Sequence, residues 1–170
     1  MTELESQRIN EISTLAIMFR GTILGECINL EKMIDDFIVK DISFDEDTQM
    51  KIFTTLLDRM TFESKITAFT AILDEAQDLA GFVKTNTKGY PHKDLIKKLR
   101  IIKDERNYFA HQIAWISIDA LIYYPDVAFA NFRDKTKIEL YNSERVLKMV
   151  ELIHRAVDEI QDLIKGMQPT

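Results

Sequence analysis

Apolar residues recur every three or four positions along most of this chain, which is the spacing of one face of an α-helix. The first run extends from about residue 4 to residue 39. Its apolar positions are Ile12, Ala16, Phe19, Ile23, Cys27, Leu30, Ile34 and Phe37. Gly21 and Gly25 interrupt the run, so the pattern fits either one long helix or two, with a kink or a close backbone approach at the glycines.

Two further runs follow a polar loop at residues 41–45. A second apolar face is expected on Ile52, Phe53, Leu56, Leu57 and Met60. Thr61 is the expected N-cap of the next helix, since its side chain can accept a hydrogen bond from an unpaired backbone N–H of the first turn. That helix carries Phe62, Ile66, Phe69, Ile72, Leu73, Ala76 and Leu79.

The second half of the chain has a different pattern. A loop is expected at residues 84–92 and a helix from about residue 92 to residue 111. Residues 127–133 and 137–141 are β-prone and flank a polar connection at 134–136, which predicts a hairpin. Ser143 is expected to cap a terminal helix that ends near Gly166. The sequence therefore predicts one mainly α-helical (all-α) domain over residues 1–170, a bundle of four to six helices with a small β-hairpin before the C-terminal helix.

Composition agrees with a folded helical protein. Hydrophobic residues make up 46% and charged residues 29%, and glycine (5) and proline (3) are scarce. The single cysteine, Cys27, lies on the apolar stripe and is expected to be buried. The N-terminus is acidic without the apolar segment of a signal peptide, and no stretch approaches the roughly 20 apolar residues that cross a bilayer. We therefore expect a cytoplasmic protein with no membrane partner.

Charge is unevenly distributed. The net charge is −6, but eight basic and three acidic residues lie between Lys84 and Arg106. That segment carries +5, so the remainder carries −11. A local basic surface on an acidic protein can contact phosphates, and a merely solvated helix face is the alternative.

The predicted helix at residues 92–111 has one charged residue on its apolar seam. Leu95, Leu99, Ile102, Phe109 and Ile113 follow a four-three rhythm, and the position that completes it is Arg106. An arginine there needs a carboxylate or a water-filled cleft. Asn107 and His111 are four apart and share a face, whereas Arg106 and His111 lie about 140° apart around an ideal helix. A common groove or a second copy of the chain could bring them together.

The segment Arg106-x-x-x-x-His111, with the polar Asn107 after the arginine, resembles the Arg-x4–6-His motif of HEPN domains. These are small helical bundles, often dimeric, that include metal-independent ribonucleases of toxin–antitoxin, phage-defence and RNA-processing systems. Residues 27–34 are similar to an early helix of that fold and residues 60–66 to a middle segment of related families. The resemblance covers roughly residues 19–164, with the hairpin as an insertion.

The resemblance implies an RNA endonuclease that uses the ribose 2′-OH as its nucleophile. His111 would act as general acid or base, Arg106 would stabilise the charge that develops on the phosphate, and Asn107 would orient the phosphate or the imidazole. Glu31 is the candidate carboxylate for holding Arg106, with Glu26 as the second choice. No metal or cofactor is implied.

The same resemblance implies partners and contact residues. RNA is the expected substrate, a homodimer the expected assembly, and an antitoxin or a regulatory protein a further partner. The candidate substrate-binding residues are Lys97, Arg100, Lys103 and Tyr108.

Two positions depart from the family pattern. Ile113 stands where members paired with nucleotidyltransferase antitoxins have a tyrosine, and Gln112 where many members have glycine. Many HEPN domains are catalytically silent, and proteins resembling the mannitol operon repressor carry a similar arginine–asparagine–histidine segment in a similar bundle. A non-catalytic module for regulation or protein interaction is therefore the alternative.

Overall fold

The computed structural model describes residues 1–82, 89–131 and 137–167. Its α-helices are α1 (Glu3–Ile42), α2 (Glu46–Thr55), α3 (Phe62–Leu79), α4 (Lys93–His111) and α5 (Ser143–Gly166). Its strands are β1 (Ile113–Ala114), β2 (Val127–Ala130) and β3 (Ile138–Tyr141), and short 3-10 helices span Leu57–Arg59 and Ile118–Tyr123. The predicted class, mainly helical with a small β element before the last helix, is confirmed.

The first apolar run forms one helix, α1, rather than two. All eight of its predicted apolar positions, Cys27 included, are at most 4% exposed. Gly21 and Gly25 lie inside this helix on its exposed side. A Cβ at either position would have no described atom within 4 Å, so these glycines do not mark a close backbone approach within the described residues.

The predicted apolar face of the second run is only partly covered: Ile52 and Met60 are half-buried and Leu57 is buried, whereas the other two positions are exposed. The helix ends at Thr55, and α2 buries none of its own residues. Of the five predicted positions only Leu57, in the following 3-10 helix, is buried. Phe53 and Leu56 are 37% and 52% exposed. Helical spacing identifies an apolar stripe, but it does not say whether another element covers that stripe.

Two predicted helix caps have different outcomes. The Thr61 hydroxyl accepts a hydrogen bond from the Ser64 backbone N–H at 3.2 Å, which confirms Thr61 as the N-cap of α3. The cap of α5 is Asn142 rather than Ser143, because Asn142 Oδ1 accepts from the Arg145 N–H at 3.0 Å. Asn142 precedes the first helical residue and is as good a capping type as serine.

The hairpin strands are confirmed, and a third strand joins them. The antiparallel order is β1-β2-β3, with Val127 opposite Tyr141 and Ile113 opposite Ala130. The predicted connection at 134–136 lies outside the described residues, as do residues 84–88 of the predicted loop. Ile113 was predicted on the apolar seam of α4 but lies in β1 and is 48% exposed, because the helix ends at His111.

The chain forms two compact units. The first comprises Met1–Glu26 and Asp104–Glu151, and the second Cys27–Lys103 and Leu152–Thr170. In the first, the buried rings of Phe109, Phe129 and Tyr141 pack with centroids 4.7 to 5.5 Å apart. In the second, Phe37 packs edge-on against Phe69 at 4.6 Å. The single-domain organisation stays a prediction.

Candidate active site at the end of the fourth helix

Arg106 occupies the seam position expected from the sequence. Ile102 and Phe109, its neighbours on the seam, are both fully buried, whereas Arg106 is half-buried. Its Nη1 donates a hydrogen bond to Asn107 Oδ1 at 3.2 Å. Within the described residues of the first unit, no carboxylate forms an ion pair with Arg106. The guanidinium is therefore oriented by its neighbour without being neutralised.

His111 is the last residue of α4 and is exposed. The backbone N–H of Gln112 still bonds to the Tyr108 carbonyl at 2.9 Å, so the helical turn is intact around the histidine. In the part of the chain that the structure describes, no hydrogen bond to the His111 ring is found. Both ring nitrogens are thus available to a bound substrate.

Tyr108 attaches the end of α4 to the sheet. Its hydroxyl donates to the Phe129 carbonyl oxygen at 3.1 Å, and its ring lies 5.7 Å from that of Tyr141. Burial, reinforced by the nearby Glu139 carboxylate, raises the pKa of Tyr108 to about 12. Its hydroxyl is used by the fold, and the predicted contact of Tyr108 with a substrate stays a prediction.

A polar network holds the turn just before Arg106. The Tyr141 hydroxyl donates to Glu105 Oε1 at 2.7 Å, and the Arg145 guanidinium lies 3.8 Å from the centroid of the Tyr141 ring. Arg145 also contacts Glu139 Oε2 at 2.6 Å. Burial and the bond to Glu105 raise the pKa of Tyr141 well above its usual range. Sequence reasoning missed this network because its members come from separate elements with no shared spacing.

A second arginine, Arg20 of α1, contacts the residue that follows His111. Its Nη2 donates to the backbone carbonyl oxygen of Gln112, and its guanidinium lies 5.8 Å from the centroid of the Phe129 ring. Arg20 is 92 positions from Gln112 in the sequence, and no local motif marks it. It is the functional candidate that sequence analysis missed most clearly.

The two carboxylates predicted to hold Arg106 lie in different units. Glu26 is half-buried in the part of α1 that belongs to the first unit. Glu31 belongs to the second unit, where its Oε1 lies 3.0 Å from Lys65 Nζ. Lys65 also contacts Asp35 Oδ2 at 2.7 Å. A pairing of Arg106 with either glutamate stays a prediction.

Lys65 and Asp35 form a buried ion pair, at 4% and 3% exposure. Burial raises the pKa of the Asp35 carboxyl, although the bond to Lys65 opposes that shift. Burial alone would lower the pKa of Lys65, but its bonds to Asp35 and Glu31 outweigh burial and raise it. This cluster, which sequence analysis did not identify, is internally paired.

The predicted RNA-binding basic side chains of α4 in the second unit differ in exposure and in ion pairing. Lys97 and Arg100 are exposed. Lys103 Nζ lies 2.8 Å from Glu63 Oε2, so part of its charge is already balanced. Lys97 and Arg100 are the better candidates for contact with a phosphate.

Comparison with protein-family models, with curated proteins and with solved structures finds no match to this chain. Among the helices described, none combines the length and apolar character required to cross a membrane. A search of the described ranges for three or more histidine, cysteine, aspartate or glutamate side chains placed to hold a metal ion finds none.

Proposed function

We propose that the last two turns of α4, which bear Arg106, Asn107 and His111, are the active site of a metal-independent RNA endonuclease of HEPN type. The observation that carries the proposal is the state of these three side chains. Arg106 is oriented by Asn107 without an ion-pair partner among the described residues of its unit, and the His111 ring is exposed. An anionic substrate would supply the charge that Arg106 lacks.

The chemistry follows from the types of side chain. The ribose 2′-OH attacks the adjacent phosphorus, and the bond from phosphorus to the 5′-oxygen of the next nucleotide breaks. The products are a 2′,3′-cyclic phosphate and a 5′-hydroxyl. His111 takes the proton from the 2′-OH or gives one to the leaving oxygen. Arg106 stabilises the additional negative charge on the phosphoryl oxygens, and Asn107 fixes the guanidinium plane.

A homodimer suits this reaction, because one exposed histidine can serve as base while the histidine of a second copy serves as acid. Lys97 and Arg100 would contact flanking phosphates. In this proposal the protein is a cytoplasmic toxin or defence component, and an antitoxin or regulatory protein controls its activity.

The test is cleavage of RNA in the presence of EDTA. We expect His111→Ala to lower the rate at least about 100-fold, the usual minimum contribution of a positioned acid or base. His154→Ala, which changes another exposed histidine, should cleave like wild type. Mass spectrometry should find 2′,3′-cyclic phosphate ends. Equal slow degradation by wild type and His111→Ala would show that the catalytic assignment is wrong.

The alternative, a non-catalytic regulatory or protein-interaction module, is favoured by a different observation. Phe44, Met50 and Leu56, in and beside α2, are 71%, 63% and 52% exposed. Exposed apolar side chains of this size often mark a protein-binding surface. If this reading is right, the wild-type protein will not cleave RNA, and substitution of Met50 by a charged residue will abolish its binding to a partner protein.

A further inference from the structure

An apolar groove lies beside Arg20, the residue that bonds to the carbonyl of Gln112, within the first unit. Its volume is about 300 Å³, near the lower end of the range for small-ligand sites. It is lined by Ala16, Ile17, Arg20, Gly21, Ala114 and Ile116. Five of these six residues are apolar, so Arg20 supplies the charge of the lining.

Arg20 has no ion-pair partner among the described residues. Its Nη2 is bonded to a backbone carbonyl, which is neutral, and its guanidinium lies near the Phe129 ring. A half-buried cation without a counter-charge favours an anionic ligand.

Arg20 has unused hydrogen-bonding capacity, as do two further residues of the first unit. Arg20 Nε, Gln112 Oε1 and Ser117 Oγ are buried and find no hydrogen-bond partner in the described part of the molecule. Buried polar atoms are nearly always paired, in protein or through water, so the Nε of Arg20, the one of these three atoms that belongs to a lining residue, calls for an explanation. A bound anion would pair it.

We propose that this groove is a nucleotide-binding subsite of the RNA site, in which Arg20 contacts a phosphate and the aliphatic lining packs against the adjoining base. The proposal rests on the function proposed above, because Gln112 directly follows His111. Arginine recognises phosphate with two parallel N–H donors, and apolar side chains pack on the faces of unstacked bases. Arg20 would thus place the strand so that its next phosphate reaches Arg106 and His111.

The test measures binding of a 2′-O-methyl oligouridylate, which cannot be cleaved because it lacks the 2′-OH nucleophile. Fluorescence anisotropy would give Kd over a range of salt concentrations. We expect Arg20→Gln to weaken binding about tenfold. The slope of log Kd against log salt should fall by about 0.7, the effect of one lost phosphate contact on a single strand. Arg8→Gln, the same charge change on α1 outside the groove, should leave binding within about twofold of wild type.

A second variant separates binding from any structural role of Arg20. Gly21 lines the groove, and a Cβ there would meet no described atom within 4 Å, so we expect Gly21→Phe to be accommodated and to place a ring at the groove. Gly25→Phe is the matched control, because Gly25 is equally open but does not line the groove. Gly21→Phe should weaken binding about tenfold and Gly25→Phe by no more than about twofold.

The outcomes separate this proposal from the one on which it rests. Normal binding by both Arg20→Gln and Gly21→Phe, or equal weakening by Gly21→Phe and Gly25→Phe, would overturn the groove, even if RNA cleavage depends on His111. Weakened binding by Arg20→Gln and Gly21→Phe alone would support the groove. If these binding results are obtained but neither wild type nor any variant cleaves RNA, the groove proposal is supported and the ribonuclease proposal is wrong.

Discussion

Two regions of this protein place a cation on an otherwise apolar helical face, and the two cations differ in their partners. In the second unit, Lys65 is 4% exposed and lies within 3.0 Å of both the Glu31 and Asp35 carboxylates. In the first unit, Arg106 is half-buried and bonds to the neutral amide of Asn107. The first cation is paired with two carboxylates, and the second has no carboxylate partner among the described residues of its unit.

The difference teaches that a charge on an apolar stripe does not by itself indicate a functional site. A buried charge requires a partner, and an internal carboxylate satisfies that requirement as well as a ligand does. Lys65 has used its capacity for ion pairing inside the fold. Arg106 has no ion-pair partner among the described residues of its unit and lies five positions before an exposed histidine, so it is the one for which we propose chemistry.

Removal of Lys65 should have the largest effect on stability. Lys65→Met leaves the Asp35 carboxylate buried without its counter-charge, and we expect the free energy of unfolding to fall by about 3–5 kcal/mol. Urea denaturation would measure it. Lys97→Met, at an exposed position of α4, should change the free energy by less than about 0.5 kcal/mol. If Lys65→Met were as stable as that control, the buried cluster would not be a structural ion pair.

Removal of Arg106 should have little effect on stability and a large effect on RNA cleavage. Arg106→Gln keeps a polar side chain beside Asn107 and removes only a charge that no described carboxylate of its unit balances, so the free energy of unfolding should change by less than about 1 kcal/mol. RNA cleavage should fall at least about 100-fold. Arg8→Gln, at an exposed position of α1 outside the proposed site, is the control for a change of net charge. A loss of stability as large as that of Lys65→Met would make Arg106 a structural residue.

The sequence predicts features that depend on residues close together in the chain, and it does not predict contacts between residues that are far apart in the chain. The shared face of the eight apolar positions of α1 follows from spacing alone, because helical periodicity fixes which residues lie on one side of a helix. The placement of Arg106, Asn107 and His111 within the last six residues of α4 is likewise local. The strands β2 and β3 could be predicted from their β-prone residues, whereas β1, with two residues, is too short to show a period.

Partners that come from distant parts of the chain could not be predicted. Lys65 and Asp35 are 30 positions apart, and Arg20 and Gln112 are 92 apart. No periodicity in the sequence relates such pairs. Glu31 illustrates this: the sequence offers it as a partner of Arg106, whereas the structure shows an ion pair between Glu31 and Lys65. The exposed face of α2 illustrates the same limit, because its amphipathic pattern does not reveal whether another element covers it.

Substitution of Tyr108 should have a small effect on stability, and it tests whether this residue of the candidate site has a structural role. Its hydroxyl connects the end of α4 to the sheet. Tyr108→Phe removes the bond to the Phe129 carbonyl and should lower the free energy of unfolding by about 1 kcal/mol at pH 7. The folded-state pKa of Tyr108, about 12, exceeds its ordinary value of 10.0. The neutral phenol therefore stabilises the fold below pH 10, and this contribution is lost as the pH rises from 10 to 12.

The measurement is urea denaturation of wild type and Tyr108→Phe at several pH values between 8 and 12. The difference in the free energy of unfolding should be constant up to about pH 10 and should decrease above it, because ionisation of the phenol destabilises wild type but not the variant. Leu147→Ala, at an exposed position of α5, controls for general alkaline destabilisation and should run parallel to wild type. A difference that stays constant to pH 12 would mean that the Tyr108 hydroxyl is solvated like an ordinary phenol, and Tyr108 would then be as available to a substrate as the sequence predicts.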